Sequence, residues 1–331
     1  MIPISKPMID NSEINTVTDV LSSCMISRGV VVDKFEERFK NYISMPYACA
    51  TSSGTTALMA ALNSLRLPSN SKIITTPFSF IATTSAIIYN NCIPLFADID
   101  ERTFNVSTES IEKLLEIHTD VKALLIVHLF GQSCNMDGIM EIVKKYNLLL
   151  IEDCAQAHGV TWNERKVGSF GDASIFSFYP TKNMTTGEGG MCLFRKEKIY
   201  KKAKRHINHG CDQLYYHNEH GYNFQMSNIA AAIGIQQLEK LDAFNSQRIK
   251  NAEYYNAKIN NPHITKPYKQ NECIHVYNQY SVLIKEEYRD DFIEYLASKG
   301  IAGRTYYPLT IPERGKQGRF FFALFLYIPS Q

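Results

Sequence analysis

The 331-residue sequence contains no long apolar segment, no block of like charge and no Cys-x-x-Cys pair among its eight cysteines. Its longest late apolar run, Phe320 to Pro329, is too short to cross a bilayer. The first residues, Met1 to Pro7, lack the apolar region of a signal peptide. Charged residues make up 21% with a formal net charge of +2, which gives no electrostatic footprint for nucleic acid. These absences predict a cytoplasmic protein with reduced thiols that holds no metal and binds neither nucleic acid nor membrane.

The first 250 or so residues alternate between apolar strand-like runs and helical patterns. This alternation predicts an α/β fold with a mainly parallel central sheet covered by helices on both faces. The strand-like runs are Lys72–Thr76, Ile93–Asp98, Val121–Val127 and Leu148–Ile151. Asp98, His128 and Asp153 follow three of these runs, at the edge of the sheet where such folds bind ligands.

The pattern of helical and strand-like segments changes beyond residue 230. Ile233–Asn256 has the pattern of one long connecting helix, His275–Ile284 alternates like a strand, and Asp290–Ser298 is helical up to Lys299-Gly300. The length also favours two domains. We therefore expect a large domain over residues 1–245 and a smaller α+β domain over residues 246–331.

Lys182 lies in an unusual setting for a lysine. It follows Ser177-Phe178-Tyr179-Pro180-Thr181 and precedes a Gly-rich segment at Gly187, while Asp153 lies upstream, after an apolar strand. A lysine that forms a Schiff base and an acid that keeps the pyridinium nitrogen protonated are what a pyridoxal phosphate (PLP) enzyme needs. Most lysines are simply exposed, but a surface position would not explain the acids at the strand end or the glycines. The pattern predicts PLP as the cofactor and Lys182 and Asp153 as catalytic residues.

Asp153 has a second interpretation, because aspartate is also a common helix N-cap. A cap alone is the weaker explanation, since Glu152 and Gln156 cluster with Asp153 in the sequence. Gln156 is a candidate to hydrogen-bond the phenolic oxygen of the cofactor, and a solvated glutamine is an equally good reading. Phe80 could stack on the cofactor ring, although an aromatic residue considered alone is more often part of the core.

The segment Ser53-Gly54-Thr55-Thr56 comes just before an apolar helix. Free backbone N–H groups and the helix dipole at such a point form an anion site that suits a cofactor phosphate. Ser and Thr before a helix are more often simple caps, but beside Lys182 this segment is the natural phosphate cradle. Ser177 could add a hydroxyl. His128 and His158 could be bases or metal ligands, yet a lone histidine is more often structural and no ligand cluster supports a metal.

Taken together, these motifs make the chain resemble the DegT/DnrJ/StrS sugar aminotransferases, which belong to the fold-type I PLP enzymes. The resemblance runs from Pro3 to about Pro308. The motifs that carry it are Ser52-Ser53-Gly54-Thr55, Glu152-Asp153-Cys154-Ala155-Gln156-Ala157-His158-Gly159, Phe176 to Asn183, Gly187-Glu188-Gly189-Gly190 and Gly221-Tyr222-Asn223-Phe224.

The resemblance implies a role for each candidate residue. Lys182 would carry the Schiff base, Asp153 would bind the pyridine nitrogen, and Gln156 and Phe80 would contact the ring. The phosphate would be held by Gly54, Thr55 and Ser177, next to Ser53. Asn223 would reach the phosphate in the partner subunit, which implies a homodimer with shared active sites. The turn Ser27-Arg28-Gly29 and the loop 209–222 would help to bind a sugar nucleotide.

The sequence departs from the family pattern at three places. Cys24 stands where a glycine is common, and Gln225 replaces a frequent arginine. After Tyr306-Tyr307-Pro308 the chain runs on as Leu309 to Tyr327 and ends short of the usual length. A frameshifted or truncated reading frame would produce this ending. We therefore expect an incomplete small domain with exposed apolar surface.

The activity implied by these residues is amino transfer from a donor, expected to be glutamate, to the keto group of a nucleotide-linked deoxysugar. The product would feed the synthesis of surface polysaccharide, O-antigen or antibiotic sugars. One alternative is a related dehydratase that uses pyridoxamine phosphate (PMP), but such relatives carry histidine in place of Lys182. The other is a non-catalytic or regulatory protein that keeps the fold, for which the altered C-terminus is the only support.

Overall fold

The computed structural model describes residues 1–313 and 323–326. The helices in this part of the chain are α1 Asn11–Ser22, α2 Val30–Ile43, α3 Gly54–Leu65, α4 Ala82–Tyr89, α5 Thr108–Ile117, α6 Met136–Tyr146, α7 Glu197–His206, α8 Asn228–Lys258 and α9 Glu286–Ser298. The strands are β1 Tyr47–Thr51, β2 Lys72–Thr75, β3 Ile93–Phe96, β4 Val121–Val127, β5 Leu149–Asp153, β6 Thr161–Trp162, β7 Arg165–Lys166, β8 Ala173–Ser177, β9 Gly190–Phe194, β10 Cys211–Gln213, β11 Tyr216–His217, β12 Ile264–Thr265, β13 Cys273–Ile274, β14 Tyr280–Ile284, β15 Thr305–Tyr306 and β16 Ala323–Leu326.

The central sheet has the strand order β1-β9-β8-β5-β4-β2-β3 within the described residues. Strands β3, β2, β4, β5 and β8 run parallel. Strand β9 lies antiparallel between β8 and β1. The predicted mainly parallel sheet is therefore confirmed, and the carboxyl ends of its parallel strands meet at one edge.

Helices cover both faces of this sheet, as predicted. One apolar layer includes Phe35 and Phe39 of α2, Ile139 of α6 and Ala231 of α8. The other layer includes residues of α3, α4 and α7, with Ala61 and Ala203 fully buried. Because both faces are covered, the strands are apolar on both sides, and β8 is buried along its whole length.

The ends of the helices follow from local sequence chemistry. Asp10 accepts from Ser12 N–H at 2.8 Å while Glu13 accepts from Asp10 N–H at 3.0 Å, which forms a capping box at the start of α1. Helix α9 ends before Gly300, whose φ of +75° suits glycine better than other residues. The predicted stop at Lys299-Gly300 is confirmed.

The C-terminal part of the described chain forms a separate antiparallel sheet in the order β12-β14-β16-β15. Its core contains Tyr280, Val282 and Leu296, packed against Ala252 of α8. Helix α8 passes through the expected boundary at residues 245 and 246 without a break. The division into two domains stays a prediction.

The predicted strand His275–Ile284 is wrong in its first half. Only β14 is a strand there, and Cys273–Ile274 forms the short β13 that pairs with β6. Between them the chain docks on the turn after β4, where Val276 N–H donates to Gly131 O at 2.9 Å and Gln279 N–H to Phe130 O at 3.2 Å. Contact with the turn at Phe130 and Gly131 replaces strand pairing over these residues.

Much of the altered C-terminus, including most of the apolar run Phe320 to Pro329, lies outside the described residues, and so does the expected exposed apolar surface. The described backbone of β16 pairs with both β14 and β15. Part of this unusual ending thus supplies a strand of the small sheet.

Candidate active site

The predicted site residues lie at the carboxyl edge of the central sheet. Asp153 is the last residue of β5, Ser177 is the last residue of the adjacent β8, and the loop with Lys182 follows. The start of α3 and the loop before α4 reach the same edge, because β1 and β2 run in the same direction as β5 and β8. Parallel strand order thus brings together residues that are far apart in the sequence.

Lys182 is partly buried in its loop, and its backbone N–H donates to Tyr179 O at 2.9 Å. Burial lowers the pKa of Lys182 to about 8, although the nearby Asp153 carboxylate acts to raise it. An ammonium group with a pKa near neutrality releases its proton easily. The amine can therefore serve as a nucleophile and as a proton carrier.

Asp153 is 4% exposed and accepts two hydrogen bonds. Thr83 Oγ1 donates to its Oδ2 at 3.0 Å, and Ala155 N–H donates to its Oδ1 at 3.0 Å. Burial raises the pKa of Asp153 above its ordinary value, against the opposing effects of Ala155, Thr83 and Lys182. The chain after Asp153 turns without forming a helix, so the N-cap interpretation of this residue is wrong.

Asp153 and Lys182 influence each other's pKa, yet no hydrogen bond joins them among the described side chains. A buried carboxylate with a raised pKa is under-stabilised by its own protein partners. A protonated ring nitrogen placed against it would supply the missing positive charge. The chemistry of the pair therefore fits PLP, for which Asp153 would hold the ring nitrogen protonated and Lys182 would form the Schiff base.

Gln156 is fixed in orientation by two hydrogen bonds. Its Oε1 accepts from Phe130 N–H at 2.7 Å, and its Nε2 donates to the Tyr307 hydroxyl at 3.2 Å. Because the Phe130 N–H can only donate, the side-chain atom that faces it must be the amide oxygen of Gln156. The NH2 group of Gln156 then faces the Tyr307 hydroxyl. At 5% exposure Gln156 is not a solvated surface residue, and its second N–H can be offered to a phenolic oxygen.

The expected phosphate cradle has two kinds of hydrogen-bond donor: backbone N–H groups at the start of α3 and the hydroxyl of Ser177. Ser53 Oγ accepts from Thr56 N–H at 3.2 Å and so acts as the N-cap of α3. The cap leaves the N–H groups of Gly54 and Thr55, for which the helix itself offers no acceptor. Ser177 lies directly against them, because a Cβ added at Gly54 would come within 2.7 Å of Ser177 Cβ. Only glycine at position 54 allows Ser177 to come this close. The N–H groups and the hydroxyl that are brought together in this way suit an anion.

Phe80 and Asn223 both lie on the surface of the described chain. Phe80 is 58% exposed, so the interpretation of this ring as a core aromatic is wrong. Asn223 is exposed, and the neighbouring Phe224 O accepts from Ser52 N–H at 2.8 Å. Phe80 can therefore cover a ligand at the sheet edge, and Asn223 is free to face a neighbouring subunit.

Asn183, the residue after Lys182, belongs to a chain of buried amides. Asn278 Nδ2 donates to Asn183 Oδ1 at 2.7 Å, Asn183 Nδ2 donates to Asn245 Oδ1 at 2.6 Å, and Asn245 Nδ2 donates to His158 O at 2.8 Å. On the other side of the loop, Ser5 Oγ donates to Pro180 O at 3.0 Å. The position of Lys182 thus depends on distant parts of the chain.

His128, Glu152 and Cys154 form a buried group with the atoms of a metal site. Glu152 accepts from His128 Nε2 at 3.2 Å and from the N–H groups of Gly168, Phe170 and Gly171 at 2.7 to 2.8 Å, and His128 Nδ1 accepts from Cys134 N–H at 3.0 Å. Burial would raise the pKa of Glu152, but His128 and these amides lower it. Because the ring nitrogens of His128 and the carboxylate of Glu152 are already hydrogen-bonded to protein groups, these two side chains hold the 168–171 turn. Glu152 faces away from Asp153, so the sequence clustering of the two acids does not reflect a shared site.

Three residues of the site were missed by the sequence reasoning: Thr83 beside Asp153, Tyr307 beside Gln156, and Asn278 beside Asn183. Tyr307 belongs to the quoted segment Tyr306-Tyr307-Pro308 and Thr83 follows Phe80 by three residues, but no local pattern distinguishes their hydroxyls from others. Their partners are set by contacts between segments that are remote in sequence.

The family model of the DegT/DnrJ/EryC1/StrS aminotransferases matches residues 7–315 of this chain. The chain belongs to the DegT/DnrJ/EryC1/StrS aminotransferase family. The GDP-perosamine synthase of Escherichia coli O157:H7 is 36% identical over 318 residues, which cover 94% of this chain and 86% of that protein. The resemblance inferred from the motifs is thereby confirmed.

Solved structures agree with this assignment. An aminotransferase from Psychrobacter cryohalolentis is 32% identical with a TM-score of 0.83, covering 91% of this chain and 84% of that one. The PLP form of a proposed sugar aminotransferase from Streptococcus pneumoniae is 25% identical with a TM-score of 0.88, covering 95% and 86%. The fold is the fold-type I α/β architecture, and the protein is a PLP-dependent transaminase.

The family also predicted substrate contacts at two further places. In the Ser27-Arg28-Gly29 turn, Arg28 pairs with Asp33 at 2.8 Å and with Glu36 at 3.3 Å. The loop 209–222 carries the β10–β11 hairpin, where Leu214 and Tyr215 are 76% and 82% exposed. Gln225, the departure from arginine, donates to Asn208. The roles of both segments toward a sugar nucleotide stay predictions.

None of the helices in the described ranges combines the length and the apolar character that a bilayer crossing requires. The expected cytoplasmic location stays a prediction.

Proposed function

We propose that this transaminase moves an amino group from glutamate to the keto group of a nucleotide-linked deoxysugar, in the synthesis of surface polysaccharide or related amino sugars. The single observation that carries the proposal is that Asp153, at the end of β5, and Lys182, in the loop after the adjacent β8, lie close enough at the sheet edge for each to shift the pKa of the other. The names of several relatives support the substrate class, among them GDP-perosamine synthases and a UDP-N-acetyl-3-dehydro-alpha-D-glucosamine 3-aminotransferase.

PLP would supply an electron sink and a carbonyl that carries the amino group between the two substrates. The residues of this chain would do the rest. Asp153 would keep the ring nitrogen protonated, Gln156 would donate to the phenolic oxygen, and Phe80 would cover one face of the ring.

The remaining groups would anchor the phosphate and move protons. The phosphate would be bound by the N–H groups of Gly54 and Thr55 and by the Ser177 hydroxyl. The Ser53 cap would keep the first turn of α3, and so these N–H groups, in place. Lys182, with a pKa near 8, can both accept a proton from the α-carbon of the donor and return one, as general acid–base catalysis requires. Its amine would also hold the cofactor between turnovers.

The proposal includes a homodimer in which Asn223 of one subunit completes the phosphate site of the other. Its support is the exposure of the Asn223 side chain, together with exposed aromatic residues nearby, such as Tyr222 at 45%, because an exposed amide and apolar rings can meet a second copy of the chain.

The experiment that tests the function is a product assay with ¹⁵N-glutamate and a panel of keto sugar nucleotides, read by mass spectrometry. We expect a ¹⁵N-amino sugar nucleotide from at least one member of the panel, together with 2-oxoglutarate. A deoxygenated product without amino sugar would establish the dehydratase alternative. Bound PLP that glutamate never converts to PMP would establish the non-catalytic one.

A further inference from the structure

Thr83 contacts Asp153 from the first turn of α4. Its Oγ1 lies 3.0 Å from Asp153 Oδ2, and its side chain is 1% exposed. Asp153 is the terminal residue of β5, so this hydrogen bond joins a strand end to a helix start that is 70 residues away in sequence. The same turn follows Phe80, whose O accepts from Thr83 N–H at 3.2 Å.

The direction of the proton in this contact can be deduced. An ionised carboxylate can only accept, so the single hydrogen of the Thr83 hydroxyl points to Asp153. Ser79 Oγ lies 3.1 Å from Thr83 Oγ1. Since the hydrogen of Thr83 is already committed, Ser79 must donate to Thr83. The two hydroxyls form a relay that ends on the carboxylate and favours its charged form.

We propose that Thr83 is a positioning residue that keeps Asp153 ionised and aimed at the ring nitrogen of the cofactor. The inference rests on the proposed role of Asp153 toward PLP. Burial alone would favour the neutral acid, which cannot stabilise a protonated ring nitrogen by charge. Apart from Thr83, the only hydrogen-bond donor to this carboxylate among the described residues is the backbone N–H of Ala155. Thr83 is therefore the side chain that hydrogen-bonds this carboxylate within the described part of the chain, and it opposes the effect of burial together with Ala155 and Lys182.

The test compares two ligands of the full-length protein after removal of bound cofactor: PLP and 1-deaza-PLP, in which carbon replaces the ring nitrogen. Isothermal titration gives the affinity of each ligand for the wild type, Thr83→Val, Thr83→Ser and Thr84→Val. Valine keeps the shape of threonine without the hydroxyl, and serine keeps the hydroxyl. Thr84 is the matched control, because its buried hydroxyl has no hydrogen-bond partner among the described residues.

We expect Thr83→Val to weaken PLP binding by about tenfold and to leave the affinity for the deaza analogue unchanged. Thr83→Ser should restore most of the preference for PLP, and Thr84→Val should behave like the wild type. Equal losses for both ligands in Thr83→Val would show a merely structural role and overturn the inference. If the wild type itself failed to prefer PLP, the proposed contact of Asp153 with the ring nitrogen would be wrong.

A second readout observes the ring nitrogen directly. Nuclear magnetic resonance of ¹⁵N-labelled PLP on the protein separates a protonated from a neutral ring nitrogen. We expect a protonated nitrogen in the wild type and in Thr84→Val, and a shift toward the neutral form in Thr83→Val. A protonated nitrogen in Thr83→Val at every pH where the protein is folded would contradict the relay.

Discussion

Asn183 Nδ2 donates to Asn245 Oδ1 at 2.6 Å, which ties the residue after Lys182 to helix α8. Asn278 Nδ2 donates in turn to Asn183 Oδ1, and Asn245 Nδ2 donates to the backbone of the 158 loop. Asn183 and Asn245 each use their side-chain oxygen and their side-chain nitrogen for different partners. The loop that presents the ε-amine is therefore fixed from several sides by neutral groups whose hydrogen bonds do not depend on pH.

The first prediction concerns this row of amides. Asn245→Ala removes the acceptor of Asn183 and the donor to His158 O, and both groups are buried. We expect the free energy of unfolding to fall by about 2 kcal/mol or more, because buried polar groups lose their partners. Urea denaturation measures the change. Asn41→Ala, which removes an exposed amide paired only with Glu37 among its described contacts, should have almost no effect, and equal losses in the two variants would disprove the argument.

The second prediction concerns the amine itself. Lys182→Ala should abolish turnover while the phosphate cradle and Asp153 still bind PLP noncovalently. Mass spectrometry after borohydride reduction should find PLP attached to Lys182 in the wild type and no attachment in the variant. Lys122→Ala, at an exposed position of β4, should retain both activity and attachment. Normal turnover by Lys182→Ala would exclude its catalytic role.

The third prediction is a pH dependence. Burial lowers the pKa of Lys182 to about 8, and only the neutral amine attacks an aldehyde. Attachment of PLP to the cofactor-free protein should therefore accelerate up to about pH 8 and level off above it, as stopped-flow absorbance would show. Because the unfolded chain keeps this proton up to about pH 10.4, the stability of the cofactor-free protein should also rise between these two values.

Asp153→Asn provides the internal check on this profile. The carboxylate raises the pKa of Lys182, so its removal should move the midpoint of the attachment rate to lower pH. The variant should also lose most of its transaminase activity, because the ring nitrogen is no longer held protonated. A midpoint that did not move would show that the two side chains are not coupled.

The fourth prediction concerns the phosphate cradle. Gly54→Ala places a Cβ within 2.7 Å of Ser177 Cβ, which pushes the hydroxyl away from the N–H groups of α3. We expect PLP affinity to fall by about tenfold, whereas pyridoxal, which has no phosphate, should bind as before. Titration of both ligands into the cofactor-free protein measures this difference. A parallel loss for pyridoxal would indicate a general distortion of the site.

The fifth prediction tests the shared active site. Lys182→Ala and Asn223→Ala are each expected to be weakly active or inactive as homodimers. After subunit exchange, a mixed dimer has one site that combines Lys182 from one chain with Asn223 from the other, so activity should return. If Asn223 acted within its own chain, or not at all, mixing would restore nothing.

The local sequence was sufficient for much of the fold and the site. The strand end at Val127 and the glycine stop after α9 follow from periodicity and capping, which depend on neighbouring residues, whereas β5 runs two residues past the predicted end at Ile151. The Lys182 and Asp153 pair could be selected because parallel strands deliver their carboxyl ends to one edge. The strand predicted from His275 failed because contact with the turn at Phe130 overrode the alternating pattern.

The sequence by itself determined the alternating α/β order, the family, and the chemical groups offered to a cofactor. Only the tertiary structure decided which of these groups are desolvated and which neighbours complete them. Thr83 reaches Asp153, Tyr307 reaches Gln156, and Glu152 turns away to hold another loop. The physical reason is that side-chain periodicity is local, whereas burial and hydrogen-bond partners arise from segments brought together by packing. The pKa of Lys182 depends on that packing and cannot be inferred from its neighbours in sequence.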